Sequence, residues 1–312
     1  MKKYLEYRFP RIIYGIRKIK RQIHNNKMKS MSIQEKMKTD AELYYKKTGD
    51  KLDWTNLQTY TEKMQWEKLF DNDPRKTLLA DKYRVRDWVS EKIGEQYLIP
   101  LIGVWTDAKD IDFEKLPLSF VLKTNCGSGD VVIIKDRSEL SGNDILRIKS
   151  RLNFYLHYDC GCNSFEFHYS KIPPRIICED LLVFPGADVP DYKFLCFDGQ
   201  PYFCWVDIGR YHNHKRNVYD LKWNLQPWNQ KDYGNSEELI EKPKNFDKMI
   251  ELVSILSQGF SHVRVDLYNI EGKIYFGEMT FTNGSGFEKI YPREADLMLG
   301  ELWGLDTSTI PL

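Results

Sequence analysis

The order of apolar and polar residues predicts that the first third of the chain is mainly helical. Two capping boxes, in which Ser or Thr precedes Glu by three positions, start predicted helices after Ser32 and after Thr59. These helices are expected to end near Gly49 and near Phe70, and a further helix is expected at about 81–92.

From Pro100 onward the pattern changes to short alternating runs separated by turn residues. Residues 119–136 predict a strand, a glycine-rich turn and a second strand. Because hairpins occur with interspersed helices, α+β lobes are favoured over a parallel doubly wound sheet. Further strands are predicted within 175–182, 191–207 and 263–281, and helices within 143–158 and 245–260. The predicted divisions are a basic helix at 1–30, a mainly helical region at 31–98, and α+β subdomains at 99–170 and 171–312.

The hairpin predicted at 263–281 presents charged residues on a face that depends on its turn. A two-residue turn would place Asp266 and Glu278 on opposite faces. A three-residue turn with Gly272 in a left-handed bulge would place both acids on one face with Arg264. We predict the three-residue turn, because it alone keeps the apolar residues together. Two carboxylates on one face suit Mg²⁺ bound with substrate phosphates, and the alternative is a surface ion pair between Arg264 and Glu278.

The first 30 residues are strongly basic, with ten Lys or Arg and a single acid, Glu6. Within them an apolar stripe recurs at spacings of 4, 3 and 4, which is typical of one side of a helix. Two interpretations stay open, a helix docked on the protein's own core or a helix on an anionic membrane surface. The stripe consists of Ile12, Ile16, Ile19 and Ile23.

Composition narrows the classes of protein further. Hydrophobic residues make up 42% and charged residues 29%, as in ordinary globular proteins, and the net charge of +1 argues against a nucleic-acid partner. No apolar run is long enough for a membrane span, and no apolar core of a secretory signal follows the basic start, so a cytoplasmic location is expected.

The six cysteines are expected to be free and mostly buried thiols. A zinc site is a weaker alternative for His157, Cys160, Cys162 and His168.

A second group of residues indicates a phosphate site. Lys123 ends an apolar strand, and Gly127 and Gly129 follow it, which allows backbone N–H groups to converge on an anion. The pattern is not a Walker A loop, because the lysine precedes the glycines. Together with the acid pair, it predicts that ATP and Mg²⁺ are bound.

Taken in order, five segments resemble the TupA-like branch of the ATP-grasp superfamily, over roughly residues 50–300. The resemblance implies an ATP-grasp fold of class α+β, in which two subdomains clamp ATP after an N-terminal region. The segments are "TYTEKMQWEKLFDNDP", "LADKYRVRDWVSEKIGEQYLIPLIGVW", "FVLKTNCGSG", "DYKFLCFDGQP" through "HKRNVYDLKWN", and "VRVDLYNIEGKIYFGEMTFTNGSGF".

The resemblance also implies roles by position. Lys123 matches the strand lysine on the nucleotide phosphates, and Glu179 matches the acid at the adenine and ribose hinge. Arg264 is placed to meet the γ-phosphate or an acyl-phosphate, and Lys193 is expected near phosphate or adenine. The loop over the phosphates corresponds to Gly127, Ser128 and Gly129, and the metal-binding acids correspond to Asp266 and Glu278.

Three positions depart from the family pattern as it usually stands. Cys126 and Gly127 replace a His-Asp pair in the glycine loop, and Asp180 replaces a lysine at the hinge. Thr280 stands where many ATP-grasp enzymes have Asn, although this branch often has Thr there.

The implied reaction activates a carboxylate as an acyl-phosphate, which an amine then attacks. The TupA branch is associated with bacterial cell-surface polysaccharides, which implies that an amino acid is joined to the carboxylate of a uronic acid. A basic stretch is the candidate for holding the acidic sugar or its diphosphate carrier, with a solvated basic turn as the alternative. It contains His212, His214, Lys215 and Arg216 in a predicted loop.

Two rival functions remain open at this level. A glycosyltransferase would use a D-x-D pattern for a metal and a sugar nucleotide. Asp71-Asn72-Asp73 has that pattern, but its place between a helix end and Pro74 favours a turn cap instead. A non-catalytic regulator would bind ATP without turnover.

Overall fold

The computed structural model describes residues 10–127, 130–184, 189–209, 213–230, 233–237 and 239–307. These residues form two compact units. The first unit draws on the described parts of Met1–Ser32, Thr77–Val85 and Ile99–Leu182, and the second on those of Ile33–Lys76, Arg86–Leu98 and Val183–Leu312.

Helices and strands follow one another in the mixed order expected of α+β lobes. The helices are α1 (Pro10–Ser30), α2 (Ile33–Thr48), α3 (Tyr60–Phe70), α4 (Pro74–Leu79), α5 (Val85–Ile93), α6 (Gly142–Leu156), α7 (Phe167–Ser170), α8 (Phe246–Ser257) and α9 (Arg293–Leu302). The strands are β1 (Leu101–Trp105), β2 (Phe120–Thr124), β3 (Val132–Ile134), β4 (Ile176–Glu179), β5 (Asp191–Phe197), β6 (Gln200–Ile208), β7 (Lys215–Asp220), β8 (Asn229–Gln230), β9 (His262–Ile270), β10 (Lys273–Thr280) and β11 (Ile290–Tyr291).

The first unit contains an antiparallel sheet in the order β1-β4-β2-β3. Its core forms where Leu122 and Cys178 of the sheet cluster with Leu152 of α6. Because side chains alternate along a strand, the neighbouring residues Lys123 and Glu179 lie on the opposite face of the sheet from this core.

The second unit contains an antiparallel sheet in the order β10-β9-β5-β6-β7. Helix α8 covers one face, where Phe246 stacks on Phe194 with ring centroids 5.7 Å apart. On the other face, Leu195 belongs to an apolar cluster with Tyr60 of α3 and Leu299 of α9. Lys193 precedes Leu195 by two positions, so it shares this second face.

The helices of the first third form largely where their capping residues predict them. Helix α2 starts directly after Ser32, and Thr59 and Glu62 form the expected capping box at α3. Helix α5 starts at Val85 rather than near Asp81. The Asp81 side chain instead accepts backbone N–H groups of the turn that precedes the helix.

The turn of the β9–β10 hairpin differs from the prediction. It has two residues, Glu271 and Gly272, both with positive φ, and Ile270 pairs with Lys273. The two acids nevertheless share a face, because the register shifts between Phe276 and Glu278. The extra residue is Gly277, a β-bulge, which sends Phe276 and Glu278 to opposite faces and pairs Asp266 directly with Glu278.

Helix α1 packs against α6 through the face that carries Tyr14 and Met28, whose side chains are 8% and 5% exposed. The isoleucine stripe predicted from the sequence lies on the other side of the helix. It is solvent-exposed, at 61% for Ile12, 49% for Ile16, 63% for Ile19 and 68% for Ile23. The helix is therefore docked, but through a different face from the predicted one. Among the described helices, none is both long enough and apolar enough to cross a membrane.

The cysteines are not all free thiols. Cys126 forms a disulfide with Cys160, because the loop after β2 and the loop after α6 meet although 34 residues separate them in sequence. Cys160 is thereby removed from the zinc alternative, and the described ranges contain no group of three or more potential ligands for a metal. The remaining cysteines are free and buried, namely Cys162, Cys178, Cys196 and Cys204.

Candidate functional site

The predicted phosphate lysine is paired with the predicted hinge acid. Strands β2 and β4 are antiparallel neighbours, and Lys123 Nζ lies 2.5 Å from Glu179 Oε2 on the face away from the core. Both side chains are mostly buried, at 16% and 7% exposed. A cation held this way keeps a fixed position, because its carboxylate partner restrains it.

The base of the glycine loop is anchored by buried hydrogen bonds. Asn125 Nδ2 donates to Asp81 Oδ1 at 2.8 Å, and its Oδ1 accepts the N–H of Arg175 at 2.8 Å. Gly127 has φ of +92°, which side-chain-bearing residues rarely adopt, and its carbonyl accepts from Lys82 Nζ at 3.0 Å. The other two predicted loop residues, Ser128 and Gly129, lie outside the described residues.

In the second unit, a row of charges crosses three neighbouring strands, buried at Lys193 and Asp266 and partly exposed at Glu278. Lys193 of β5 pairs with Asp266 of β9, which pairs with Glu278 of β10. Lys193 Nζ lies 2.9 Å from Asp266 Oδ2 and 3.3 Å from Asp191 Oδ2. The predicted residues Lys193, Asp266 and Glu278 are thus brought together by the register of the sheet.

Arg264 joins the two acids. Its Nε and Nη2 donate to the two oxygens of Asp266 at 2.7 and 2.8 Å, and Nη2 also donates to Glu278 Oε1 at 3.1 Å. Thr280 accepts from the same Nη2 at 3.1 Å, and Asn283 accepts from Nη1. Glu278 is the most open member, with 34% of its side chain exposed.

The predicted basic loop is placed differently from the expectation. Lys215 and Arg216 lie in β7, and Arg216 is 3% exposed and donates from Nε and Nη2 to Asp207 at 2.5 and 2.7 Å. His214 Nε2 lies 3.4 Å from Asp207 Oδ2. Arg216 therefore belongs to a buried ion pair rather than to a solvated turn, and His212 lies outside the described residues.

The pKa shifts follow from this mixture of burial and opposite charge. Burial alone would lower the pKa of Lys193, but the carboxylates of Asp191 and Asp266 outweigh it and raise that pKa. Asp266 likewise outweighs burial and raises the pKa of Arg264. At Asp207, burial opposes ionisation, but hydrogen bonds from Arg216 hold the pKa well below its usual range. Lys193, Arg264 and Asp207 therefore stay charged at neutral pH.

The acid pair has the donor chemistry that Mg²⁺ requires. Asp266 and Glu278 present hard carboxylate oxygens from directly opposed positions, and one of the two is solvent-accessible. Since the described residues supply no third acidic or imidazole ligand, the remaining positions would fall to phosphate oxygens and water. Two carboxylates are the donor set of a two-carboxylate Mg²⁺ site, and in this structure both Asp266 oxygens accept hydrogen bonds from Arg264.

Several members of these clusters escaped the sequence analysis. Asp191 and Asp207 pair directly across β5 and β6, and Asn125 fixes the loop base. The sequence feature that could have indicated these residues is the presence of charged side chains at the ends of otherwise apolar strands. Pattern alone does not show that Asp207 would meet Arg216, because this contact depends on strand pairing.

Comparison with known proteins identifies the family. A family model described as TupA-like ATPgrasp matches residues 62–303, which is well over half of the chain. The chain belongs to the TupA-like ATP-grasp family. This TupA-like protein therefore has the ATP-grasp fold expected from its ordered motifs. Among curated proteins, none matches the chain significantly.

Solved structures give distant similarities to the TupA-like chain. D-alanine–D-alanine ligase from Bacillus anthracis complexed with ATP is 17% identical, with 65% of this chain and 53% of that chain covered and a TM-score of 0.35. ATP-grasp ligase PsnB complexed with a minimal precursor is 11% identical, with 67% and 54% covered and a TM-score of 0.36. D-cycloserine synthetase DcsG is 17% identical, with 73% and 69% covered and a TM-score of 0.39. The chain spans about half the length of the D-alanine–D-alanine ligase and of PsnB.

Proposed function

We propose that the protein is an ATP-dependent carboxylate–amine ligase. A substrate carboxylate attacks the γ-phosphorus of ATP and releases ADP, and an amine then attacks the acyl-phosphate, releasing phosphate and a proton and forming an amide. Membership of the TupA-like ATP-grasp family supports this reaction class. The observation that carries the proposal is the row of Lys193, Asp266 and Glu278, buried at its first two members and joined by Arg264.

In this proposal, fixed cations neutralise phosphate charge. Lys123 and Arg264 are each held in place by a carboxylate, so that little reorganisation is needed as charge develops on the transferred phosphoryl group. Lys193 contributes a third positive charge from the centre of its sheet. The loop at Gly127, Ser128 and Gly129 is proposed to cover the phosphates and exclude water, which would hydrolyse the mixed anhydride.

Asp266 and Glu278 are the residues proposed to hold Mg²⁺. When bound, the ion screens the negative charge of the phosphates and helps to orient them. Arg264 contacts both acids and keeps their carboxylates aligned on one face of the hairpin. Glu179 is proposed to contact the adenosine part of the nucleotide while it orients Lys123.

For the acceptor we propose a uronic acid of a cell-surface polysaccharide or of its precursor, with an amino acid as the amine. His214, Lys215 and Arg216 are the candidate substrate residues in the second unit. Arg216 offers a specific observation, because its buried Nη1 has no hydrogen-bond acceptor among the described residues. A buried donor of this kind is stabilised when an anionic substrate supplies the missing acceptor.

We further propose that α1 lies on the anionic cytoplasmic face of the inner membrane. Its exposed stripe of Ile12, Ile16, Ile19 and Ile23 faces away from α6, and α1 contains no acidic residue. Lys20 and Lys27 follow Ile16 and Ile23 by one helical turn, where they would meet lipid phosphates.

The ligase proposal is tested by incubating the protein with ATP, Mg²⁺, uronic acids or their nucleotides, and a panel of amino acids. ADP release together with a product heavier by the mass of the amine minus water is expected. A glycosyltransferase would leave ATP intact, and its candidate acids Asp71 and Asp73 are already engaged with Lys76 and Arg75. Binding of ATP without turnover on any substrate pair would favour a regulator.

The membrane proposal is tested by cosedimentation with vesicles that contain phosphatidylglycerol. Changing the four stripe isoleucines to serine is expected to release the protein from the vesicles, because about 1 kcal/mol or more of transfer free energy is lost per side chain. The matched control is Leu239→Ser, since Leu239 is 80% exposed and lies outside α1. Equal binding of both variants would contradict the proposal.

A further inference from the structure

A cavity of about 350 Å³ lies within the first unit, beside α1. Its walls come from one face of α1, from Thr124, Asn125 and Cys126 at the end of β2, and from the end of α6 with residues that follow it. The volume falls in the lower part of the range of about 300–1,000 Å³ that is usual for small-molecule sites. The cavity therefore has room for a single sugar-sized ligand.

Asn25 gives the cavity a buried hydrogen-bond acceptor that has no donor among the described residues. The residue is 8% exposed and lines the cavity, and its Oδ1 accepts no hydrogen bond from any described residue. Leaving a buried acceptor unpaired is costly, so the site favours a ligand that donates a hydrogen bond, such as a hydroxyl.

The charges around the cavity leave a positive excess. Asp159 is already neutralised, because Lys29 Nζ lies 2.7 Å from its Oδ2 and Ser170 donates to its Oδ1 at 2.6 Å. Lys18 also lines the cavity and forms no ion pair with any described carboxylate. An anionic ligand would therefore be attracted to Lys18 without displacing an existing partner.

The remaining lining favours a molecule with many hydroxyl groups. Tyr155, Tyr158 and Tyr169 line the cavity together with the amide side chains of Gln22 and Asn26. Phenols and amides can each donate and accept, which suits several hydroxyl groups on one small ring.

We propose that this cavity binds a sugar that carries a carboxylate or a phosphate. Thr124, Asn125 and Cys126 form part of its wall and lead directly into the glycine loop at Gly127. The cavity is therefore a second candidate for binding the acceptor of the reaction, as an alternative to Arg216 and its neighbours. This role as acceptor site rests on the proposed ligase function, whereas the binding of the anionic sugar does not.

Binding is tested by calorimetry on the full chain without ATP. The probes are glucuronic acid and glucose 1-phosphate, with glucose and inorganic phosphate as references. At least one anionic sugar is expected to bind about tenfold or more tightly than glucose, because one charge-assisted contact is added. Comparing the two anionic probes identifies whether the anion is a carboxylate or a phosphate. Inorganic phosphate binding as tightly as the sugars, or no binding by any probe, would overturn the proposal.

The site is located with Lys18→Gln and Asn25→Leu. Lys18 is exposed on α1, so its variant is expected to fold and to weaken anionic-sugar binding about tenfold while leaving glucose unchanged. Lys135→Gln is the matched control, since Lys135 is exposed in the same unit and does not line the cavity. Asn25→Leu is expected to weaken the binding of glucose as well as that of the anionic sugars. Unchanged sugar affinity in Lys18→Gln would overturn the proposal even if Asn25→Leu fails to fold.

Failure of the two proposals can be distinguished. Lys18-dependent sugar binding without ADP formation on any substrate would support the proposed sugar site and contradict the proposed ligase function. ADP formation with an unchanged KM for the sugar in Lys18→Gln would support the ligase function and contradict the proposal that the cavity is its acceptor site.

Discussion

At the scale of single residues, Arg264 connects two carboxylates that a metal would also use. Asp266 and Glu278 are aligned by the same guanidinium, and only Glu278 is substantially exposed. The two acids therefore differ in what their loss should do. Removing the Asp266 carboxylate breaks a buried ion pair and should destabilise the fold. Changing Glu278 alters the charge at a partly exposed position and should affect stability less.

Glu278→Gln is expected to lower Mg²⁺-dependent turnover about a hundredfold or more, with little effect on stability. The amide can still accept from Arg264, so the fold is preserved while a metal ligand is weakened. Steady-state ADP release and thermal unfolding measure the two effects. Glu251→Gln, at an exposed residue paired with Lys248, is the control. Activity within twofold of the unmodified protein would remove Glu278 from the site.

Lys123→Ala is expected to weaken ATP binding about tenfold or more, since a charge-assisted contact is worth roughly 1.5–3 kcal/mol. Lys123→Arg should restore part of the affinity, because it keeps a cation beside Glu179. Calorimetry with ATP measures both, and the exposed Lys135→Ala serves as the reference. Identical affinities for all variants would exclude Lys123 from the phosphate site.

Asp296 predicts a pH dependence of stability that is separate from the site. Burial raises its pKa to about 6, although Thr61 donates two hydrogen bonds to its carboxylate. The folded-state pKa lies above the ordinary value of 3.8, so folding favours the protonated carboxyl of Asp296. The stability that this group contributes is complete below about pH 4 and is lost as the pH rises through 6.

Asp296→Asn should therefore flatten the fall in stability between pH 4 and 7, by about 2–3 kcal/mol at most. Urea unfolding at several pH values measures this, with Asp247→Asn, at a largely exposed carboxylate, as the control. An unchanged slope in Asp296→Asn would show that other groups set the pH dependence.

At the scale of elements, the β9–β10 hairpin shows what the alternating pattern can and cannot predict. The shared face of Asp266 and Glu278 was predicted, but the three-residue turn was wrong. Counting backward from the turn assumes an unbroken period of two, and the bulge at Gly277 breaks it. Helix starts were more predictable, because a capping box such as that of Thr59 and Glu62 is a local interaction.

Gly277→Ala is expected to lower both stability and turnover. An added Cβ would lie 3.0 Å from the Asp266 carbonyl oxygen and 3.3 Å from the Tyr268 ring, so the bulge must shift and carry Glu278 with it. A loss of about 1–3 kcal/mol in unfolding free energy is expected. Gly142→Ala at the start of α6 is the control, because nothing lies within 4 Å of its added Cβ. Equal behaviour of the two variants would contradict this account.

At the scale of the whole molecule, the family and the α+β class were predictable from ordered motifs, whereas long-range contacts were not. The Cys126–Cys160 disulfide and the Asp207–Arg216 pair each join segments whose meeting depends on tertiary packing. Helix α1 is an intermediate case. Its periodicity predicted an amphipathic helix, but not which face would contact α6.

Ligand binding should stabilise the entire chain. ATP with Mg²⁺ at about 100 times its Kd is expected to add about 2.7 kcal/mol to the unfolding free energy. Removing Mg²⁺ with a chelator should reduce this gain, and Asp266→Asn should make the remaining gain insensitive to the chelator. Differential scanning calorimetry measures these shifts. A gain from ATP that is the same with and without the chelator in the unmodified protein would contradict the Mg²⁺ assignment.

The exposed isoleucines of α1 also affect how the protein behaves during purification. Without lipid, four adjacent hydrocarbon side chains remain in water, and burying them between molecules is favourable. Concentrated preparations should therefore self-associate, and a mild non-ionic detergent should disperse them by covering the same side chains. Salt should not have this effect, since it weakens attraction between charges but not the tendency of isoleucines to leave water.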